Sequence, residues 1–237
     1  VAASVAEPTY MLLPESSPGV VSAEAADTIV EGLASFDALL LGCGIGQEPA
    51  TKELVERLLY SGQALPPTVV DADALNILSA GAPQGGHWWT RFTGSAIMTP
   101  HPGEMARLTG GTVSSVEQDR IRTAVDAAES WNKVVALKGA YTVVGSPNGN
   151  AMLSPFANPG LASAGTGDVL AGIIAGLLSQ GLSLEDAAAL GVYIHGAAAE
   201  RVRGELGDTG MIASDLLTAL PLAIKQLELP RLRHRFP

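Results

Sequence analysis

Short apolar runs alternate with helix-like segments along most of this chain, and that alternation limits the possible folds more than any other feature. Strand-like runs occur at Ala38–Leu41, Thr68–Val70, Ala96–Met98, Val134–Leu137 and Thr142–Val144. Helix-like segments occur at Ala50–Leu59, Ala74–Ser79, Glu104–Leu108 and Val116–Trp131. This order predicts an α/β fold with a mostly parallel central sheet and helices on both faces.

The pattern changes after Gly160, where three consecutive helices are expected at Asp168–Leu178, Leu184–Val202 and Ala213–Leu227. VAASVAEP at the start of the sequence predicts a strand. SPNG, which follows the strand-like run to Val144, predicts a hairpin turn. The basic LPRLRHRFP at the end predicts a loose tail. The 237 residues contain no internal repeat and no clear linker. We therefore expect residues 1–237 to form a single domain.

Composition excludes several classes of function. The formal net charge of −10 argues against a nucleic-acid or anionic-membrane partner, because binding many phosphates requires clusters of Lys and Arg. The single cysteine, Cys43, excludes an internal disulfide and favours a reducing compartment. The sequence shows no signal peptide and no run of roughly 18 apolar residues, so a cytoplasmic protein is expected.

The segment NPGLASAGTGDVLAGIIAGLLSQG, at Asn158–Gly181, carries the strongest functional signal. Gly160, Gly165 and Gly167 allow the backbone to bend tightly, and Asp168 then opens an apolar helix. A helix N-terminus attracts anions, and an aspartate beside a bound anion can accept the proton of an attacking hydroxyl. In the alternative, structural interpretation, the aspartate caps the helix and the glycines only form a turn.

Two further motifs follow predicted strands. LLLGCGIGQ has G-x-G-x-G spacing, which is neither a Rossmann nor a P-loop pattern, so a structural turn explains it as well as a ligand site does. VVDADALN places Asp71 and Asp73 at a strand-to-helix junction. There the two carboxylates either contact a substrate or Mg²⁺, or they cap the helix.

Two later motifs also place polar side chains at strand ends. IMTPHPGEMARL holds His101 between two prolines, with Thr99 and Glu104 nearby, and this favours a substrate contact over a structural histidine. In VVALKGAYTVV, Lys138 leaves the end of a buried strand, where its ammonium group either meets phosphate or extends into solvent.

Three features are assigned structural roles. Cys43 is expected to be a small buried residue, and His195 a packed histidine within a helix. Trp88 and Trp89 are expected to anchor a surface loop.

Together, TPHPGEMARL, DADALN, LKGAYTVV and GTGDVLAG closely resemble the ADP-dependent NAD(P)H-hydrate dehydratase family, a branch of the ribokinase-like superfamily. The motifs stand in the family's order over nearly the whole chain. The resemblance implies a lyase that repairs hydrated NADH or NADPH by removing the C6 hydroxyl of the (6S) form. ADP is the implied co-substrate and is consumed to AMP and phosphate.

The resemblance also implies roles for individual residues. Gly44, His101 and Asp168 would contact the hydrated nucleotide, together with Asp71 and Asn76 of the DADALN motif. Residues expected to hold the adenine nucleotide are Lys138, Gly139, Ala140, Tyr141, Thr142, Gly165, Thr166 and Gly167. Asp168 is the expected general base, in agreement with its place at the start of a helix.

Further expectations concern cofactors, partners and missing segments. Mg²⁺, a homotetramer and a separate epimerase acting on the same substrate pool are implied. The family's upstream Gly-Ser segment and Tyr-x-Gly-Ala helix are not visible, so an N-terminal segment is expected to be missing. Two alternatives remain: a kinase of the same superfamily that phosphorylates a vitamin precursor or a sugar, and a nucleotide-binding protein without catalysis.

Overall fold

The computed structural model describes residues 7–81, 87–207 and 209–233, with side chains described as far as residue 227. Its strands are β1 Glu15–Ser17, β2 Val20–Val21, β3 Leu39–Leu41, β4 Thr68–Val70, β5 Ala96–Met98, β6 Val134–Leu137, β7 Val143–Gly145 and β8 Ala151–Leu153. Its α-helices are α1 Ala25–Leu33, α2 Pro49–Tyr60, α3 Ala72–Ala80, α4 Pro102–Thr109, α5 Val113–Gln118, α6 Arg120–Trp131, α7 Thr166–Leu178, α8 Leu184–Leu206 and α9 Ala213–Arg233.

Six strands form the main sheet, in the order β3-β4-β5-β6-β7-β8. The first four strands run parallel, whereas β7 and β8 are antiparallel to their neighbours. The expected mostly parallel sheet is therefore confirmed. The SPNG turn joins the last two strands, and the Ser146 N–H donates to the Asn150 carbonyl at 2.9 Å.

Each face of the sheet is covered by a different set of helices, because successive residues of a strand point to opposite faces. Val70 and Met98 pack in the cluster formed with α1 to α6. Val69 and Ile97 pack with α7 and α8. All four side chains are completely buried. Helices on both faces are thus confirmed, and double-sided burial explains why the strands are continuously apolar.

The three helices expected near the C-terminus are present as α7, α8 and α9. α9 packs on the second half of α8 through Leu216 and Ala219. The prediction of a loose C-terminal tail is wrong for the residues up to 233, because α9 continues to Arg233. Residues 234–237 lie outside the described part. Within the described residues, every helix is too short or too polar to cross a bilayer.

The predicted helix Val116–Trp131 is in fact two helices, α5 and α6. Asp119 interrupts them with φ −147° and ψ 81°, which lie outside the helical region, and its carboxylate accepts a hydrogen bond from the Arg122 N–H. The interruption makes Arg120 the first residue of α6.

Other local features differ from the sequence predictions. The hairpin β1–β2 and helix α1 were not predicted, and the strand expected in VAASVAEP lies mostly in residues 1–6, outside the described part. Trp88 is only 1% exposed and packs against Trp131 at a ring distance of 5.0 Å. It is therefore a core residue rather than an anchor on the surface.

Candidate active site

The carboxyl ends of the four parallel strands place the sequence motifs along one edge of the sheet. Gly42 follows β3, Asp71 follows β4, and Lys138 follows β6. Gly42 has φ +129°, and a Cβ there would lie 1.8 Å from the Asp71 carbonyl oxygen, so the close approach of these two turns requires glycine. A Cβ on Gly44 would meet nothing within 4 Å, which leaves that residue open to a ligand.

Asp71 and Lys138 form an ion pair at the centre of this edge. The Lys138 Nζ atom lies 2.7 Å from Asp71 Oδ1 and 3.8 Å from Glu104 Oε2. Asp71 is 1% exposed, and its Oδ1 also accepts a hydrogen bond from the N–H of Ala72 at 2.8 Å. Lys138 is therefore a fixed cation rather than a lysine extending into solvent, and Asp71 both caps α3 and holds that cation.

Asp168 lies close to this pair. The thiol of Cys43 and carboxylate oxygens of Asp71 and Asp168 all lie within 4.8 Å of one another. Asp168 is exposed, and it is the third residue of α7, whose N-cap is Gly165. Asp168 is therefore not the capping residue, so the structural alternative for it is not supported.

Cys43 lies close to both carboxylates, a position that the sequence did not reveal. Its side chain is half-buried rather than fully buried. Burial, together with the negative charges of Asp71 and Asp168, raises the pKa of the Cys43 thiol to about 12. The thiol is consequently protonated and a poor nucleophile at neutral pH.

The N-terminus of α7 meets the Lys138 ammonium group. Gly165 gives α7 no side-chain cap, and the first-turn amides of Gly167 and Asp168 have no acceptor within the helix. A Cβ on Gly167 would lie 3.3 Å from Lys138 Nζ, so the cation stands directly beside this turn. A helix N-terminus and a fixed cation together form an anion site.

His101 caps helix α4. Its Nδ1 atom accepts hydrogen bonds from the N–H groups of Gly103, at 3.0 Å, and Glu104, while the carboxylate of Glu104 accepts from the N–H of His101 at 2.8 Å. Burial lowers the pKa of His101. The neutral ring, with its proton on Nε2, is half-exposed at the sheet edge and can still contact a ligand.

Asn76 is bonded to Arg107, which was not among the predicted site residues. The guanidinium group of Arg107 donates to Asn76 Oδ1 at 2.8 and 3.1 Å, and its positive charge helps to lower the pKa of His101. Asp73 instead accepts from the Gly46 N–H and the Gln47 side chain. Its carboxylate therefore closes the neighbouring turn instead of capping α3, so the capping role considered for Asp73 was wrong, whereas Asp71 does cap that helix.

A cavity of about 320 Å³ opens beside this cluster, between the loop after β6 and helices α7 and α8. Six of the eight residues expected to hold a nucleotide line it: Lys138, Gly139, Ala140, Thr142, Thr166 and Gly167. Gly165 and Tyr141 do not, and the Tyr141 side chain is 52% exposed. The volume falls in the range of small-molecule sites, roughly 300–1,000 Å³.

Two cavity residues, His195 and Asn158, were not assigned to the site from sequence. His195 donates from Nε2 to the Thr166 carbonyl at 2.9 Å, and burial lowers its pKa to about 4. It is the packed histidine that the sequence predicted, but it also supports the first turn of α7. Asn158 is buried, and its Nδ2 group has no hydrogen-bond partner, so it offers a donor to a ligand.

The sequence is similar to a known protein family and to curated proteins. A family model described as NAD(P)H-hydrate dehydratase matches residues 3–222. The bifunctional NAD(P)H-hydrate repair enzyme of Moorella thermoacetica is 46% identical over 218 residues, which cover 92% of this chain and 40% of that protein. The chain thus spans about two fifths of the length of this curated relative.

Solved structures are similar as well. The ADP/ATP-dependent NAD(P)H-hydrate dehydratase of Bacillus subtilis, co-crystallised with ATP and Mg²⁺, has a TM-score of 0.71 and 30% identity, covering 87% of this chain and 77% of that chain. A ribokinase-like superfamily protein of Enterococcus faecalis has a TM-score of 0.70 and 24% identity, covering 87% of this chain and 69% of that chain. The latter likeness supports the ribokinase-like fold.

Proposed function

The chain belongs to the NAD(P)H-hydrate dehydratase family, and on that premise we propose that it repairs nicotinamide nucleotides by ADP-dependent dehydration. The substrate is (6S)-hydrated NADH or NADPH, and the products are NADH or NADPH, AMP and phosphate. ADP supplies the phosphoryl group that converts the C6 hydroxyl into a leaving group.

One arrangement carries the proposal: Asp168 stands beside a fixed cation and a helix N-terminus, next to the cavity. Its carboxylate accepts the proton of the C6 hydroxyl as that oxygen attacks the β-phosphorus of ADP. Lys138 and the first-turn amides of α7 stabilise the charge on the transferred group. AMP leaves first, and departure of phosphate from C6 with a neighbouring proton restores the dihydronicotinamide ring.

The two substrates occupy opposite sides of Asp168. ADP fills the cavity, where Lys138, Gly139, Ala140, Thr142, Thr166 and Gly167 hold it. The hydrated nucleotide lies along the sheet edge, against Gly44, His101 and Asn76. Asp71 acts on both through Lys138, because its Oδ1 atom holds the ammonium group in place.

The carboxylates at the site are suited to Mg²⁺. Asp71 and Asp168 offer oxygen ligands, which Mg²⁺ prefers, and the Oδ2 atom of Asp71 is buried without a hydrogen-bond partner. Mg²⁺ bound by these carboxylates and by ADP would neutralise phosphate charge. The thiol of Cys43 is not a ligand type that Mg²⁺ selects.

The proposal extends to the assembly and partners of the protein. We expect a homotetramer in the cytoplasm, where the pyridine nucleotides are used. An epimerase must convert the R epimer, because the proposed enzyme takes only the S epimer.

The decisive experiment is turnover of hydrated NADH with ADP and Mg²⁺, followed by the return of dihydronicotinamide absorbance. AMP and phosphate should appear in equal amounts with the restored NADH. A parallel reaction contains ATP, and an active dehydratase of the family serves as the substrate control. A stable phosphorylated product would favour the kinase alternative, and nucleotide binding without turnover would favour the non-catalytic one.

A further inference from the structure

Arg120 lies behind the loop that is proposed to hold ADP. Its Nη2 atom donates to the carbonyl oxygens of Leu137 and Lys138, both at 3.1 Å, and its Nη1 atom donates to the carbonyl of Ala140. The side chain is 15% exposed. One guanidinium group thus joins three peptide groups of the same loop.

Gly139 completes this arrangement. Its φ is +146°, and a Cβ at this position would lie 2.6 Å from Arg120 Nη2, so only glycine can stand against the guanidinium group. The Gly139 carbonyl accepts a hydrogen bond from the Thr142 hydroxyl at 3.1 Å. The carbonyls of four consecutive residues, 137 to 140, are therefore all bonded within the protein.

This bonding matters for an anionic ligand. Peptide groups next to glycine change orientation at little steric cost, and a carbonyl turned toward the cavity would present its negative end to a phosphate. Hydrogen bonds from a charged guanidinium group are strong, and they hold these carbonyls in their present orientation. Within the described residues, the ion pair found for Arg120 is a long one, 3.9 Å to the half-exposed Glu117.

We propose that Arg120 is a positioning residue for the adenine nucleotide: it fixes the backbone of residues 137–140 in the conformation that accepts ADP. This inference rests on the proposed function, because it places ADP in the cavity beside the loop. A purely structural role would lower stability without weakening ADP binding selectively.

The test compares Arg120→Ala and Arg120→Lys with Arg122→Ala in the full chain. Arg122 lies on the same helix, is 77% exposed and contacts only the exposed Asp126 among the ion pairs of the described residues. ADP affinity is measured by calorimetry, KM for each substrate and kcat by turnover, and folding by thermal unfolding.

Arg120→Ala should weaken ADP binding roughly ten- to a hundredfold, as expected for lost charged hydrogen bonds. KM for hydrated NADH should change little, and added guanidinium ion at low concentration should restore part of the ADP affinity. Arg120→Lys should be intermediate, because an ammonium group cannot reproduce the guanidinium fork. Arg122→Ala should bind ADP as the wild type does.

Unchanged ADP affinity in folded Arg120→Ala would overturn the inference, and so would an equal loss of affinity for both substrates. If Arg120→Ala does not fold, the ADP affinity of Arg120→Lys and its KM for hydrated NADH test the inference by the same criteria. If the wild-type protein binds no ADP, the proposed function itself is refuted. If the wild type binds ADP and replacement of Arg120 does not change the affinity, only the inference about Arg120 is refuted.

Discussion

Two aspartates close together have different environments and therefore different roles. Asp71 is 1% exposed and bonded to Lys138, whereas Asp168 is exposed at the first turn of α7. A carboxylate that is buried in an ion pair cannot easily give up its partner, while an exposed one is free to accept a proton from a ligand. We therefore propose Asp168 as the base and Asp71 as the residue that supports the cation.

Asp168→Asn should lower kcat by about 10²–10⁴-fold, because the amide cannot accept the hydroxyl proton. ADP binding should remain, since the amide keeps the size of the side chain and removes a negative charge near the phosphates. Turnover and calorimetry measure the two effects. Asp186→Asn is the control, because Asp186 is also the third residue of its helix, α8. Full activity of Asp168→Asn would contradict the assignment.

His195 should make the protein sensitive to acid. Its pKa is about 4 in the fold, below the ordinary histidine value of 6.5, so the unfolded chain takes up a proton first as the pH falls from 6.5 to 4. The free energy of unfolding should decrease over that window, by on the order of 3 kcal/mol at most. Urea unfolding of His195→Gln should show a smaller loss, because glutamine cannot titrate.

His87→Gln, in which an exposed histidine is replaced by the same residue, is the matched control for the His195→Gln substitution. His101 adds to the wild-type loss in the same direction, because its pKa is also lowered, and it is retained in both variants. Identical pH dependence of the wild type and His195→Gln would contradict the prediction.

The sequence pointed to those candidate site residues that follow strand ends. Asp71, His101 and Lys138 come directly after short apolar runs or within two or three residues of them, so the sheet alone brings them together. Arg120 lies 17 to 20 residues from the carbonyls that it binds, and a local sequence pattern cannot predict a hydrogen bond over that separation. The proximity of Cys43 to two carboxylates was hidden for the same reason.

At the scale of elements, the Asp71–Lys138 pair ties the end of β4 to the end of β6, across β5. Lys138→Met should lower the free energy of unfolding by about 3–5 kcal/mol, because it leaves a buried carboxylate without its cation. Adding Asp71→Asn should recover part of that loss. Chemical denaturation of both variants measures the free energies, and Asp71→Asn alone completes the cycle.

A loss below about 1 kcal/mol for Lys138→Met would mean that the pair is as weak as an exposed one. Failure of the double variant to recover stability would show that the lost energy was packing of the lysine stem rather than charge.

Strand bounds followed from the sequence more closely than helix bounds. β4, β5 and β6 match the predicted ranges residue for residue, because turn residues stand on both sides of each apolar run. The break at Asp119 was missed because Val116 and Ala124 keep a helical spacing across it, although the residues between them are mostly polar. The break between α5 and α6 depends on the cap at Asp119 and on tertiary hydrogen bonds, which the spacing of apolar residues cannot predict.

At the scale of the whole molecule, the cavity lies between parts that belong to different layers. Its walls are the loop that leaves β6, the segment between β8 and α7, and the helices α7 and α8. A ligand that binds these walls in the folded protein stabilises it against unfolding, by about 2.7 kcal/mol at a hundred times its Kd.

ADP should therefore raise the Tm in a concentration-dependent way, measured by calorimetry or dye binding. Inorganic pyrophosphate is the control, because it offers phosphates without the adenosine that would fill the apolar part of the cavity. We expect a smaller shift with pyrophosphate. No shift at saturating ADP would contradict the placement of the nucleotide.

The order of the main sheet has a consequence for biosynthesis. Its strands are arranged in the order in which they are synthesised, and α2 to α6 alternate with them, so that one face can be covered as it forms. The helices of the other face, α7 and α8, leave the ribosome only after β8. Until then Val69, Ile97 and Val134 form a bare apolar surface on the nascent chain. Such a surface is a target for ribosome-associated chaperones, and translation pausing before α8 would favour aggregation.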